Sequence, residues 1–270
     1  MSGEVINKES TINPEEWRPM KNPWLISAPL MLAVAMYALD ETISNVALPY
    51  MAGSFSCSHN ESTWVLTFYL IASGIISPAV DFFCKLFGRK NFFLMSVIIF
   101  TISSFLCGIS NSLIMMVLAR FLQGIGGGAI LPLCQAIMME SFPKEKRPQA
   151  MALFGLGVVF APIIGPALGG WITENWSWPY IYYINIPIGF IVLAMAKELL
   201  EEPPYAKRQK GVKLDAIGFS FLAIWLVCLQ IVLDKGNDAD WFGSAWVCWL
   251  TAISCIAGII FVISQVTRKN

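Results

Sequence analysis

The sequence has little charge. Asp, Glu, Lys and Arg make up 13% of 270 residues, against about a quarter in a soluble domain. Eighteen bases balance eighteen acids, so the formal charge is zero and gives no reason to expect a nucleic-acid partner. Histidine occurs once, at His59, beside Cys57 and Glu61 in a candidate loop; isolated ligands on one loop do not make a closed metal site. The seven cysteines follow no metal or disulfide spacing, and apart from Cys57 they read as small residues of a membrane core. No nucleophile, base and orienting group stand at a recognisable spacing. Met1 to Asn22 lacks the apolar stretch of a cleavable signal peptide, so the first apolar segment is expected to direct insertion itself. Nothing outside the apolar segments is large enough to hold an active site. The expectation is a non-enzyme with no cofactor.

Apolar residues are abundant instead: 56% of the chain, with a mean hydropathy of +0.63. A helix needs about 20 mostly apolar residues to cross a hydrocarbon core of about 30 Å. Eight stretches qualify: Trp24 to Leu48, Thr63 to Phe83, Phe92 to Ile109, Leu113 to Met139, Ala150 to Ile172, Tyr180 to Leu200, Ala216 to Leu233 and Ser244 to Val266. Bases fall in every other connection. Lys8, Arg18 and Lys21 precede the first span; Lys85, Arg89 and Lys90 follow the second; Lys144, Lys146 and Arg147 follow the fourth. Lys197, Lys207, Arg208, Lys210 and Lys213 surround the loop after the sixth, and Arg268 and Lys269 follow the eighth. The intervening loops carry Glu61, Glu174, Asp234, Asp238 and Asp240, with Lys235 their only base. The positive-inside rule then puts both termini in the cytoplasm. The expected organisation is a cytoplasmic tail (1–23), a six-helix bundle (24–200), a cytoplasmic linker (201–215), two further membrane helices (216–266) and a short tail (267–270). Lys207, Arg208 and Lys210 read as a solvated linker or, more sharply, as a contact for anionic lipid headgroups. Trp176, Trp178, Tyr180, Tyr182 and Tyr183 suit the outer headgroup region.

Two acids interrupt the first span. An acid at membrane depth costs about 2.5 to 3.5 kcal/mol on insertion scales, so it is usually turned inward and used. With a rise of about 1.5 Å per residue, Asp40 lies about 24 Å above the start of its span, and Arg120 in the fourth span lies about 10 Å from the opposite end. The two are therefore at similar heights, and facing each other would stabilise both. The alternative is that Arg120 bonds backbone carbonyls and Gln123 while Asp40 sits in water. Glu41 lies about 100° round the helix from Asp40, on the side of Tyr37 and Asn45. One of the acids is a candidate to meet cationic cargo, and spacing does not say which. Span five carries Gly155, Gly157, Pro162, Gly165, Pro166, Gly169 and Gly170, which suit either close helix packing or a bend that closes the outer end. Gly124, Gly126, Gly127, Gly128 and Pro132 repeat the theme in span four. No Lys-Ser/Thr follows these glycines, which excludes a phosphate loop.

Four stretches carry a family resemblance: Leu39-Asp40-x-Thr42-Ile43-x-Asn45-Val46-Ala47-Leu48-Pro49; Arg120-x-x-Gln123-Gly124; Gly165-Pro166-x-x-Gly169-Gly170; and Tyr182-Tyr183-Ile184-Asn185-Ile186-Pro187-Ile188-Gly189. Together they resemble the N-terminal part of a major facilitator superfamily transporter, of the EmrB/QacA drug:proton antiporter type with fourteen helices. The resemblance covers most of residues 24 to 200. It implies an all-α membrane fold, with a first bundle of two inverted three-helix repeats followed by two extra helices. It also implies a multi-pass protein of the bacterial inner membrane that exports hydrophobic or cationic small molecules against a proton gradient. Asp40 and Arg120 would serve proton coupling; Glu41, at a position the motif leaves variable, is with Asn45 and Gln123 a candidate for the substrate path, and Gly124, Pro162, Gly165, Pro166, Gly169 and Gly170 are candidates for gating or packing. In some bacterial relatives a periplasmic adaptor joins the transporter. The loop after span two departs from the family pattern: anchoring on Gly88-Arg89-Lys90 puts Asp81 where a glycine belongs and Lys85 where the acid belongs, so the family's inner gate is not carried over. Asp81 and Lys85, four apart, are expected to pair locally. Eight spans are also half a transporter, since alternating access needs two bundles. The chain is then a piece of a longer product, or pairs with a copy of itself or a separate second half. The competing reading is a non-transporting subunit or an inactive truncated half.

Overall fold

A computed structural model describes residues 17–203, 206 and 215–267. Lys8, Lys207, Arg208, Lys210, Lys213, Arg268 and Lys269 lie outside the described residues, as does the lipid-headgroup reading of the linker. Among the described residues the chain is helical, with eight helical segments long and apolar enough to cross a membrane.

The first, α1 (Pro23–Phe55), begins where the Asn22 side chain accepts from the Trp24 N–H, with proline at the first helical position. It runs on through Pro49 to Ser56, a left-handed residue at φ 53°, beyond the end at Leu48 expected from the apolar run. Packing overrides the proline: Met51 is fully buried beside Trp178 and Tyr182, which outweighs the one helical hydrogen bond that proline removes. A short turn, α2 (His59–Ser62), carries a capping box between Ser58 and Glu61. Then come α3 (Trp64–Phe87) and α4 (Arg89–Gly108), separated only by Gly88, whose φ of 85° turns the chain. After α5 (Leu113–Ser141) and α6 (Arg147–Asn175), the sixth span comprises α7 (Tyr180–Tyr183) and α8 (Asn185–Leu199), with Ile184 between them still in right-handed helical conformation at φ −60° and ψ −27°. The last two spans are α9 (Ala216–Lys235) and α10 (Ala245–Thr267).

Helix α1 packs against α6, α8 and α5, while α5 also holds α3 and α4. Glycine makes the α5 contacts possible. A Cβ at Gly128 would fall 2.6 Å from the Ser73 Cα of α3, and one at Gly126 would fall 2.7 Å from the Phe100 backbone nitrogen of α4, so three backbones meet at distances only small residues permit. On the face that carries the basic loops, the backbone N–H groups of Met20 and Lys21 donate to Glu201 at 2.9 and 3.2 Å. Lys90 Nζ donates to the Lys197 carbonyl at 2.7 Å, and Arg89 pairs with Glu140. The ends of α1, α4, α5 and α8 are thereby tied together.

Helices α9 and α10 pack on each other and reach the bundle through α3. A polar clasp holds this contact: Lys235 Nζ donates to the Asn60 carbonyl at 3.0 Å and to Thr63, and lies 5.1 Å from the centre of the Trp64 ring, while the Thr67 hydroxyl donates to Asp234. By contrast α6 shows an uncovered apolar face, with Leu156, Val159, Phe160, Ile163 and Ile164 all more than half exposed.

Candidate functional site

Asp40 and Arg120 meet. Arg120 Nη1 donates to Asp40 Oδ2 at 2.6 Å, and both side chains are sealed from solvent at 1% exposure or less. A pair this deep is stable only when its remaining polar atoms find partners, and Asp40 has them. Gln123 Nε2 and Asn185 Nδ2 both donate to Oδ1, at 2.9 and 2.7 Å. Gln123 Oε1 in turn accepts from Arg120 Nη1 at 2.8 Å. Ser104 Oγ accepts from Asn185 at 2.9 Å and donates to the Tyr182 carbonyl at 2.9 Å. Four membrane spans thus contribute to one closed network: α1 through Asp40, α4 through Ser104, α5 through Arg120 and Gln123, and the sixth span through Tyr182 of α7 and Asn185 of α8.

Arg120 is less well provided. Its Nε and Nη2 are buried without hydrogen-bond partners among the described residues. The guanidinium carbon instead lies 4.0 Å from the centre of the Tyr69 ring and 5.7 Å from that of Tyr182, so two aromatic faces take part of its charge. Cation–π contact offsets some of the desolvation cost but leaves two donors free.

Glu41 stands on the other side of α1. It is half-buried, and its carboxylate makes no hydrogen bond or ion pair among the described residues, while Asn45 one turn on is exposed. Gln123, expected along the substrate path with them, is instead fully buried inside the Asp40 network. Chain geometry explains the difference, because Gln123 is three residues from Arg120 on α5 and shares its inward face. Span five behaves as a packing surface where it meets α1: Gly165 lies against Thr42, and a Cβ at Gly169 would fall 3.0 Å from Ile43 Cγ2. Pro162 and Pro166 point outward and are exposed. Gly124 presses on Tyr69 and Ala72, and Gly170 has open space around it.

At the loop after span two, Asp81 and Lys85 form no ion pair, contrary to the local pairing expected from their spacing; both are exposed. Gly88 makes the turn, Arg89 is taken by Glu140, and Lys90 by the Lys197 carbonyl. Exposure explains the missing pair, since two long side chains in water gain too little to be held together.

Motif spacing pointed to Asp40, Arg120 and Gln123 but gave no role to Ser104, Asn185 or Tyr69, and Tyr182, expected at the outer headgroup region, is instead fully buried beside Arg120. Their signal was a polar or amphipathic side chain within an apolar span, and many such residues face lipid or a neighbour's backbone instead.

The Major Facilitator Superfamily pattern matches residues 30–268. The chain belongs to the major facilitator superfamily. It is 39% identical over 247 residues to the probable multidrug resistance protein EmrY of Escherichia coli (strain K12), covering 92% of this chain and 48% of that protein. Identity is 37% to the multidrug export protein EmrB of the same strain, over 95% of this chain and 50% of that protein, and 37% to the fatty acid resistance protein FarB of Neisseria gonorrhoeae, over 94% and 50%. Among solved structures, the POT family transporter PepTSo superposes with a TM-score of 0.63 at 15% identity, covering 93% of this chain and 56% of that one. The inward-open xylose transporter XylE of E. coli gives 0.60 at 17%, covering 80% and 57%; at such identity these two carry the fold alone. The chain spans about half the length of the curated relatives it matches. As a major facilitator protein it is an integral, multi-pass membrane protein of a transporter family and not an enzyme.

Proposed function

We propose that this chain is the first-bundle part of a proton-coupled exporter of hydrophobic or cationic small molecules, in the bacterial cytoplasmic membrane with its basic loops on the cytoplasmic side. The sealed Asp40–Arg120 pair carries this reading. Protonating Asp40 removes half of a buried ion pair and leaves Arg120 uncompensated, so a single proton is enough to unbalance a network spanning four membrane helices. That is the element a proton-driven conformational change requires, with two arrangements that protonation biases. Names of relatives support the export of drugs, and the basic loops support the orientation.

Export requires a second wall. The uncovered apolar face of α6 and the half-length match both favour a second bundle, supplied by a longer product, a separate half or a copy of this chain. Its partners on this reading are the lipid bilayer, the cargo, that second half and, by family analogy, a periplasmic adaptor. The other reading is a non-transporting subunit or an inactive half. Everted membrane vesicles energised with a proton gradient distinguish the two: proton-driven uptake of a fluorescent drug that Asp40→Asn abolishes supports the exporter, and no uptake above empty vesicles supports the inert half. The size of the native membrane protein then tells which form of second wall is present.

A further inference from the structure

The segment that joins α6 to α8 sorts its aromatic rings into two sets. Trp178 and Tyr182 are buried: Trp178 packs edge-on against Phe55 and Tyr182, and its Nε1 donates to the Ser54 hydroxyl at 2.9 Å. These two hold the segment on the bundle. Trp176 and Tyr180 alternate with them in sequence and are 61% and 47% exposed. They belong to a row of rings in which Trp171 lies 5.7 Å from Trp176, Trp176 5.3 Å from Tyr180, and Tyr180 5.8 Å from Tyr183, at interplanar angles of 54°, 70° and 89°. A cavity of about 410 Å³ is lined by Trp176, Ser177 and Tyr180, within the usual range of a small-ligand site.

Charge says what this corner accepts. Ring faces carry the negative end of the aromatic quadrupole and attract cations. Glu174, exposed on the last turn of α6, is the only charged residue between Arg147 and Lys197, so the surrounding chain offers a carboxylate and no base. Position then names the source of the cation. The segment lies at the end of α6 opposite the basic residues Lys144 and Lys146, at the boundary where headgroups meet water. Toward the bilayer centre from it, the packed pair α4 and α8 expose Ile98, Ile102, Phe105, Phe190 and Ile191. Phe105 connects this wall to the row of rings, 6.3 Å from Tyr183. A polar corner above an apolar wall has the shape of a lipid.

We infer that the corner of Trp176 and Tyr180 is a selective phospholipid site, which takes the ammonium group of a zwitterionic headgroup while the acyl chains lie on the wall of α4 and α8. An anionic lipid such as phosphatidylglycerol has no cation for the rings and brings its phosphate toward Glu174. A free ammonium compound would use the corner and leave the wall unused. The site depends on the membrane-spanning fold and is independent of whether the chain transports anything.

The test counts bound lipids. The full chain is placed in nanodiscs containing equal amounts of dioleoyl phosphatidylethanolamine and dioleoyl phosphatidylglycerol, and the lipids still attached after release into detergent are weighed by native mass spectrometry. Phosphatidylethanolamine should be retained at least about fivefold over phosphatidylglycerol, and Trp176→Leu, Tyr180→Leu and Glu174→Gln should each reduce that preference about threefold or more. Trp176→Phe, which keeps a ring, should preserve most of it. Trp246→Leu removes an exposed tryptophan from the start of α10, on the same side of the membrane, and should leave it unchanged. Soluble glycerophosphoethanolamine, the same headgroup without chains, should fail to displace the lipid. Thermal unfolding confirms that each variant is folded. No preference in the parent, or a preference that survives both Trp176→Leu and Tyr180→Leu, overturns the inference. An equal loss in Trp246→Leu overturns it in favour of a general aromatic belt, and displacement by glycerophosphoethanolamine in favour of a site for free ammonium compounds.

Discussion

Gly165 of α6 rests on Thr42 of α1, two residues beyond the sealed Asp40, so α6 presses on α1 next to the charged network. Thr42 has no slack to give, since its hydroxyl already bonds the Ala38 and Leu39 carbonyls at 2.9 and 3.1 Å.

Gly165→Ala is therefore expected to destabilise the bundle by about 1–3 kcal/mol through overpacking. Gly170→Ala, one residue beyond Gly169 and with open space around it, is expected to stabilise by about 0.5–1 kcal/mol through helix propensity. Thermal unfolding in detergent compares the two, and the opposite signs are the result that matters.

Arg120→Met leaves the Asp40 carboxylate in place without its cation. A loss of about 3–5 kcal/mol is expected at neutral pH. Combining it with Asp40→Asn should recover most of that loss, because the stranded charge is gone. A double-mutant cycle by thermal unfolding reads the coupling, and simple additivity of the two losses would contradict the buried pairing.

Lys235→Met removes the centre of the clasp between the accessory pair and α3. Hydrogen bonds from a charged donor contribute about 1.5–3 kcal/mol. Amide exchange in the half of α9 nearest Lys235 should quicken about tenfold or more, while α1 and α5 keep the protection of the parent. Equal loosening throughout would mean that the pair is part of the bundle core instead of docked on it.

Glu202, in the segment that follows α8, packs its carboxylate against Gly88. Burial raises its carboxyl above the usual range, against the opposing pull of the Arg89 and Lys90 backbone and charges. A carboxyl that ionises less readily when folded favours folding on the acid side and loses that contribution as pH rises through the carboxylate range. Glu202→Gln should therefore be more stable than the parent at neutral pH, with the difference shrinking toward zero in acid. Unfolding midpoints measured across that range check the sign.

Much of the site was legible because membranes make polar residues conspicuous. Asp40 and Arg120 stood out as costly charges in apolar spans, and the regular helical rise placed them at matching heights, where the structure has them paired. Gln123 was legible as a motif residue expected along the substrate path, and the structure buries it in the Asp40 network. Asn185 lay in a recognised stretch without a role. Its side chain reaches Asp40 because α8 packs against α1, a tertiary contact that hydropathy does not encode. The extent of α1 past Pro49 was hidden for a similar reason, since Met51 is held by Trp178 and Tyr182 far along the chain.

The sequence by itself determined the number of spans, the acids within the first of them, and the family, because hydrophobic length, charge placement and motif spacing are local properties of the chain. Only the tertiary structure decided which acid is saturated and which is open. Asp40 and Glu41 differ by one step around a helix, and the neighbours that seal one and expose the other come from α3, α4, α5 and the sixth span, brought together by glycine contacts that act across helices.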